Sequence, residues 1–298
     1  RSGALQREKV MPIRRILVTV DGSQASNDAM KSAFSLGKYL PAHVEVMHVR
    51  ADPKEVVPLL GEGMSGSMIE DMIDAAEKES SDHSKQARAA FDQYCDEHNV
   101  PLDLTPEKPD HLSSTWLEEV GREDEIVAWR GRLYDLIVMP RPGPDTDVSA
   151  TMALNAALFD TGRPVLVVPP GGHDIKIDKI AIAWNGQSEA AQSVSAASPL
   201  LRIATKATVL TAESFKTPAS AAQELATYLA WQGITADTKT VDADSGSVGA
   251  QLLQAGADAG ADIMIMGAYT HSRLRELILG GVTRHMLSEA KIPLMMAR

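Results

Sequence analysis

Short apolar runs alternate along the chain with longer stretches that are polar and rich in alanine. The first run lies in "RRILVTVDGS", Arg14 to Ser23, and a near-copy lies in "DKIAIAWNGQ", Asp178 to Gln187. Both runs end in Asp-Gly or Asn-Gly and lead into a segment of helical composition. A strand that leads directly into a helix is typical of parallel βαβ units, so the pattern predicts an α/β fold.

Three more apolar runs of the first half recur in the second half in the same order. The pairs are "VEVMHV" (44–49) with "ATVLTA" (207–212), "YDLIVMPR" (134–141) with "ADIMIMGA" (261–268), and "RPVLVVP" (163–169) with "KIPLMMA" (291–297). We therefore predict two homologous, doubly wound parallel-sheet domains at residues 12–170 and 177–298. The stretch between them, "PPGGHDIK", has the composition of a linker.

The first half carries an insertion of roughly 35 residues between its second and fourth predicted strands. From Met68 to Cys95 the insertion predicts a long helix, with Ile69, Met72, Ile73 and Ala76 on one face. Its Glu- and Lys-rich side is most simply a solvated surface, and a groove for a protein partner is the alternative interpretation.

Composition limits the classes of function. The chain has 298 residues, 44% hydrophobic and 23% charged, with a formal net charge of -11. An acidic chain does not favour nucleic acid, and a nucleotide would bind only where local dipoles outweigh the overall field. One cysteine excludes an internal disulfide and fits a cytoplasmic protein, and no apolar run has the roughly 20 residues of a membrane helix.

Five segments together resemble the universal stress protein family, in its tandem two-domain form. They are "VDGS", "AWNG", "GAYTHSRLREL", "LGGVTRHML" and "IPLMMAR", and the resemblance runs from Arg14 to Arg298. It implies a Rossmann-like fold of the adenine nucleotide alpha hydrolase type and a role in regulating stress responses. It also implies that Val165–Val168 and Leu294–Ala297 pair antiparallel across a pseudo-two-fold axis.

The family's nucleotide signature is Gly, two residues, Gly, nine residues, then Gly with Ser or Thr. Gly267 and Gly280 match it, whereas Thr270 and Gly281 depart from it. Glycine lets a ligand approach the backbone closely, and a following helix offers its unpaired N–H groups to phosphate. The resemblance thus implies ATP or a related adenine nucleotide in the second domain, with Mg²⁺ as a companion ion. The simpler interpretation is that these glycines only end a strand and cap a helix.

Further residues complete the candidate site. Val282 and Thr283 follow the glycines, and Thr283 would add a hydroxyl in the first turn of the helix. Asn185 and Gly186 end the first strand of the second domain, where the family has an Asp that contacts the nucleoside. A turn or helix-cap role explains Asn185 equally well. Ala212 matches the family's position of backbone contact with adenine.

The first domain lacks the glycines of this nucleotide signature. Counted back from the proline of each final strand, Gly280, Gly281 and Thr283 correspond to Thr151, Met152 and Leu154, and no glycine lies between residues 143 and 162. We therefore expect at most one nucleotide per chain.

Three functions stay open at this point. The first is a regulatory module that binds an adenine nucleotide and signals to protein partners. The second is an interaction protein of the same fold that binds no nucleotide, and the third, ranked last, is a slow ATPase. The sequence shows no catalytic constellation, no GxxxxGK[ST] loop and no metal-ligand spacing around its histidines. A homodimer through other faces, such as the long helix, is compatible with the pattern.

Overall fold

The computed structural model describes residues 12–52, 65–103, 105, 108–143, 148–171, 174–213, 217–218, 220–242, 247–268 and 281–298. The first half of the chain provides five strands and the helices between them. In chain order these are β1 Arg15–Thr19, α1 Gln24–Tyr39, β2 His43–Arg50, α2 Gly66–His98, β3 Ser113–Val120, α3 Glu123–Arg130, a 3-10 turn Gly131–Leu133, β4 Leu136–Pro140, α4 Val148–Asp160 and β5 Val165–Val168.

The second half repeats this order, with a shorter helix in place of the long α2. Its elements are β6 Lys179–Ala183, α5 Ser188–Ala196, α6 Ser198–Leu201, β7 Lys206–Glu213, α7 Ala221–Trp231, β8 Ala236–Asp242, α8 Val248–Asp258, β9 Ile263–Gly267, α9 Gly281–Glu289 and β10 Leu294–Ala297. The predicted apolar runs all contain strands. Most strands are shorter than the predicted run, whereas β2 and β7 extend one residue beyond it at each end.

One continuous sheet of ten strands joins the two halves, in the order β3-β2-β1-β4-β5-β10-β9-β6-β7-β8. The order in the second half is the mirror of the order in the first. Neighbouring strands are parallel within each half, and β5 and β10 pair antiparallel at the centre. The prediction of two doubly wound domains joined through their final strands is therefore confirmed. The exact boundaries at 12–170 and 177–298 stay a prediction.

Alternate residues of each strand point to opposite faces of the sheet, and each face carries its own core. Ile16 and Ile265 belong to the first core, which packs against α1, the end of α2, α5 and α7. Leu17 and Met264 belong to the second core, which packs against α3, α4, α8 and α9. The antiparallel pair of β5 and β10 forms the seam between the two halves. Both cores extend across this seam, so the two halves share them.

The repeat extends to individual hydrogen bonds. One Asp135 carboxylate oxygen accepts the N–H groups of Arg14 and Arg15, at 2.9 and 3.0 Å. Asp262 does the same for Asp178 and Lys179, at 3.1 and 2.8 Å. These aspartates hold the start of the first strand of each domain to the start of the fourth.

Helix α2 is longer than predicted. Ser65 caps its N-terminus, since the Ser65 hydroxyl accepts the N–H of Met68. The face that carries Ile69 and Met72 lies half-exposed or exposed, with 40% of Met72 accessible. The buried contacts of α2 come instead from its C-terminal half, through Ala87, Phe91, Tyr94 and Cys95.

The connection between the halves packs on the first one. Ile175 and Ile177 are buried. The Ser35 hydroxyl donates to the carbonyl of Ile175 at 3.1 Å, and the N–H of Gly171 donates to Asp28 at 2.8 Å.

Candidate functional site

The site predicted from the sequence lies at the carboxyl edge of the second half of the sheet. Strands β6 and β9 are neighbours there, with Ala183 beside Met266. Helix α5 leaves β6 toward one face of the sheet, and α9 packs on the other face. Ligands of doubly wound sheets bind at such a point, where the order of the strands in the sheet reverses.

Asn185 and Gly186 form a tight turn at the end of β6. The side-chain oxygen of Asn185 accepts the N–H of Gln187 at 3.1 Å, and Gly186 has φ +74°. A positive φ favours glycine, so the turn itself accounts for this residue. The turn role considered for Asn185 is present in the structure, and its contact with a nucleoside stays a prediction.

The first domain has the same turn at the end of β1. Asp21 accepts the N–H of Ser23 at 2.8 Å, and Gly22 has φ +87°. Burial acts to raise the pKa of Asp21, but hydrogen bonds with Ser23 and Ser26 outweigh it and lower the pKa. The carboxylate is therefore charged and held within its own turn.

Gly267 is required by the packing of α5 against the end of β9. A Cβ atom at this position would lie 2.7 Å from the backbone nitrogen of Ala190 and 2.9 Å from the carbonyl carbon of Glu189. Both neighbours are backbone and cannot move aside easily. The close approach that glycine permits here is made by a helix of the same chain.

The same junction contains Ser193, a residue that sequence reasoning missed. Its buried hydroxyl donates to the carbonyl of Met266 at 2.8 Å and accepts the N–H of Ala297 at 2.8 Å. Ser193 thus ties α5 to the ends of β9 and β10. A serine among the apolar positions of a predicted helix is the signal that could have indicated it.

No described side chain packs on the first residue of α9. Gly281, its first residue, is exposed, and a Cβ atom there would meet nothing within 4 Å. Val282 is 38% accessible, whereas Thr283 is only 7% accessible and turns toward the core. The predicted residues Thr270 and Gly280 lie outside the described residues.

Ala212 lies near the end of β7, half-buried, and pairs with Val241 of β8. Strand β7 is next to β6, with Leu210 beside Ala183. The structure therefore brings the ends of β6, β7 and β9 to one edge of the sheet, as the site requires.

The first domain is closed at the equivalent place. Thr151 and Met152 are residues of helix α4, and Leu154 is buried in the second core. Pro140 stands where β9 has Gly267, because Pro140 ends β4 beside Val168 as Gly267 ends β9 beside Ala297.

A cavity of about 550 Å³ opens beside the turn at the end of β6, between α5 and α7. Its lining combines two aromatic rings, aliphatic groups, amides and one carboxylate, contributed by Trp184, Asn185, Gly186, Gln187, Ala191, Val194, Thr217, Pro218, Ala221, Glu224, Leu225 and Tyr228. Only Asn185 and Gly186 of these were predicted as site residues. The volume is within the usual range for small-molecule sites.

The described residues form neither a metal-binding cluster nor a membrane-spanning helix. No group of three or more His, Cys, Asp or Glu side chains in this part of the chain is placed to hold a metal ion. Within the same residues, no helix combines the length and apolarity that crossing a membrane requires.

Comparison with known proteins supports the fold. Residues 176–298 match the model of the universal stress protein family. A universal stress protein from Archaeoglobus fulgidus DSM 4304 superposes with a TM-score of 0.61 at 13% identity, over 95% of this chain and 98% of its own. A protein of unknown function from Pseudomonas aeruginosa PAO1 superposes with a TM-score of 0.56 at 15% identity, over 96% and 92% of the two chains.

A universal stress protein solved in complex with cAMP aligns with a TM-score of 0.29 at 16% identity, over 54% of this chain and 99% of its own. A search of curated protein sequences found no match. Two statements follow: residues 176–298 match the universal stress protein family, and both halves of the chain share the fold of the solved universal stress protein from Archaeoglobus fulgidus DSM 4304.

Proposed function

We propose that the second domain binds ATP or a related adenine nucleotide at the carboxyl edge of β6 and β9, and that the chain regulates stress responses through this binding. The residues of this site are Asn185, Gly186, Ala212, Gly267, Thr270, Gly280, Gly281, Val282 and Thr283. Mg²⁺ would accompany the phosphates as a ligand of the nucleotide.

The observation that carries the proposal is the exposed Gly281 at the first described residue of α9, the helix that follows β9. The first N–H groups of a helix lack partners within it, and the helix dipole adds partial positive charge. Gly281 leaves this end uncovered by any side chain of its own. A phosphate placed there would meet donors even though the chain as a whole is acidic.

The comparison between the domains also supports one nucleotide per chain. Thr151 and Met152, the counterparts of Gly280 and Gly281, are inside α4, where their N–H groups are used by the helix. The helix of the first domain thus begins at Val148, before the counterparts of Gly280 and Gly281, so its start lies at a different position.

One observation favours the alternative of an interaction protein that binds no nucleotide. Gly267 is explained fully by the 2.7 Å approach to Ala190, so this part of the signature does not need a ligand. The two functions differ in whether nucleotide binds at all.

Titration calorimetry of the full chain with ATP tests the proposal. We expect one site per chain with micromolar affinity, about -8 kcal/mol. GTP serves as the control for recognition of adenine and should bind more weakly. Two equivalent sites would contradict the proposal, and no binding of either nucleotide would favour the interaction protein.

A further inference from the structure

We propose that the first domain docks an acidic segment of a partner protein at the edge of the sheet where its strands begin. The docking surface consists of Trp129, Arg132, Leu133 and Arg163, and it is called the arginine surface below. It combines exposed apolar side chains with two arginines on a chain whose formal net charge is -11.

Hydrogen bonds join the residues of the arginine surface. Leu133 lies shortly before β4 and Arg163 shortly before β5, and these two strands are parallel neighbours. The Nε of Arg132 donates to the carbonyl oxygen of Asp160 at 3.1 Å. The guanidinium of Arg163 donates twice to the carbonyl oxygen of Arg132, at 3.0 and 2.7 Å. The four residues therefore form one contiguous surface.

Both guanidinium groups are held by backbone carbonyl oxygens. Among the residues that the structure describes, no carboxylate forms an ion pair with Arg132 or Arg163, whereas the neighbouring Arg15 pairs with Glu45 at 3.5 Å. Asp160 is exposed on the same surface, but its carbonyl oxygen, and not its carboxylate, meets Arg132. The two arginines are thus ordered and can still bind a carboxylate from outside, the strongest kind of arginine hydrogen bond.

The apolar part of the surface is unusually exposed. Trp129 is 70% accessible and Leu133 is 66% accessible. The guanidinium of Arg132 lies over the ring of Trp129, 6.0 Å from its centroid. Tryptophan and arginine are the residues that contribute most often to the centre of protein interfaces, so the pair indicates a protein partner.

The second domain shows that the fold does not require these residues. Asp135 and Asp262 make the same hydrogen bonds in their domains, so they align the two sequences here. Counted back from these aspartates, Trp129, Arg132 and Leu133 correspond to Gly256, Ala259 and Gly260. A Cβ atom at Gly256 would already lie 2.4 Å from the terminal methyl group of Met264, so this position has no room for a ring.

Charge and apolarity together select the partner. A long polyanion such as nucleic acid would be repelled by the acidic chain as a whole. A short acidic segment interacts mainly with charges within a Debye length, about 8 Å, and so meets the two arginines first. One apolar side chain of the segment would cover Trp129 and Leu133, while its carboxylates bind Arg132 and Arg163.

The arginine surface and the proposed nucleotide site lie at the same edge of the continuous sheet. Because β5 and β10 are antiparallel, the start of β5 lies beside the end of β10, which in turn pairs with the end of β9 at Gly267. The two sites use different residues, so each can be tested without the other.

Two pools of short peptides with the same apolar residues and opposite charge test the proposal on the full chain. One pool is built from Asp, Glu, Leu and Phe, and the other has Lys and Arg in place of the acids. The four tryptophans of the chain are observed through their indole N–H signals in NMR. We expect the acidic pool to shift the signal of Trp129, identified with Trp129→Phe, and to leave that of Trp231, which is 86% accessible, unchanged. No shift of Trp129, or an equal shift with the basic pool, would overturn the proposal.

Charge reversal at Arg132 gives an independent test. Arg132→Glu should weaken binding of the acidic pool by about tenfold or more, because it places like charges together. Arg202→Glu is the matched control, since Arg202 is also exposed and also donates to a carbonyl oxygen, that of Gln232 at 3.0 Å. Arg132→Gln, which removes the charge alone, should weaken binding by about threefold and serves if thermal unfolding shows that Arg132→Glu is not folded. Parent affinity in the folded Arg132 variants, or an equal loss in Arg202→Glu, would contradict the proposal.

Two further measurements separate this inference from its alternatives. Short single-stranded DNA should bind more weakly than the acidic pool, and tighter binding of the DNA would overturn the assignment to a protein partner. Gly281→Asp should leave peptide binding within about twofold of the parent chain, because screening weakens the effect of a distant charge. Loss of peptide binding in Gly281→Asp would show that the peptides bind at the start of α9 and would overturn the docking surface. Loss of ATP binding alone in that variant is the result expected for the nucleotide site and leaves the docking surface intact.

Discussion

Leu166 of β5 lies directly opposite Met295 of β10, and the two residues occupy the same position in their respective domains. The register is symmetric around this pair, since Val165 faces Met296 and Val167 faces Leu294. The pseudo-two-fold axis therefore passes between Leu166 and Met295. Both residues are fully buried, so the axis passes through an apolar contact.

The seam should hold the halves together without the covalent connection. We predict that cleavage at an engineered protease site between β5 and β6 leaves both halves in one particle, measured by size-exclusion chromatography. Met295→Asp should separate or unfold them, because it places a charge in the first core. Leu133→Asp, at a position 66% accessible, is the control and should behave as the parent chain. Separation of the cleaved parent chain would show that the seam is not what joins the halves.

Substitution by alanine should destabilise the chain at one glycine of the proposed site and have little effect at another. Gly267→Ala places a Cβ 2.7 Å from a backbone nitrogen, and we expect a loss of about 1–3 kcal/mol in the free energy of unfolding. Gly281→Ala meets nothing within 4 Å and should stay within about 1 kcal/mol of the parent chain. Urea denaturation of both variants measures this. An equal effect of the two substitutions would contradict the packing role of Gly267.

The single thiol should be unreactive in the folded protein. Burial raises the pKa of Cys95 to about 11, and the nearby carboxylates of Asp92 and Asp96 add to the effect. At about pH 8 we expect slow labelling by a disulfide reagent, which becomes fast in denaturant, because only the thiolate reacts. Rapid labelling of the folded chain at that pH would contradict the buried position of Cys95.

The same shift predicts a pH dependence of stability. The folded thiol keeps its proton up to a higher pH than the unfolded thiol, whose pKa is near 9.0. The contribution of Cys95 is thus fully present below about pH 9 and is lost as the pH rises toward about 11. Cys95→Ala should remove this part of the slope, and an unchanged slope would show that Cys95 does not cause it.

The repeat made most of the fold predictable. Strand segments such as "ILVTV" and "IMIMG" are rich in apolar residues, so each can be recognised from its own sequence. The same order of these segments in both halves then indicates the topology. The reason for Gly267 was not predictable, because the 2.7 Å approach of Ala190 depends on how two distant segments pack. The cavity was missed for the same reason, since residues from the β6 turn, α5 and α7 line it together only in the folded chain. The long helix α2 was predicted, but the sequence did not indicate that its buried residues, such as Phe91, lie in its C-terminal half.

The central claim is that a phosphate binds at Gly281, where the described part of α9 begins, whereas the equivalent Met152 lies within α4. Gly281→Asp tests it most directly, because a carboxylate at the start of a helix favours the helix itself yet repels a phosphate. The matched control is Met152→Asp, at the equivalent position of the first domain, where 40% of the side chain is accessible. Calorimetric titration with ATP should show at least about a tenfold loss of affinity in Gly281→Asp, or about 1.4 kcal/mol, and parent affinity in Met152→Asp. Parent affinity in Gly281→Asp, or a loss confined to Met152→Asp, would contradict the account.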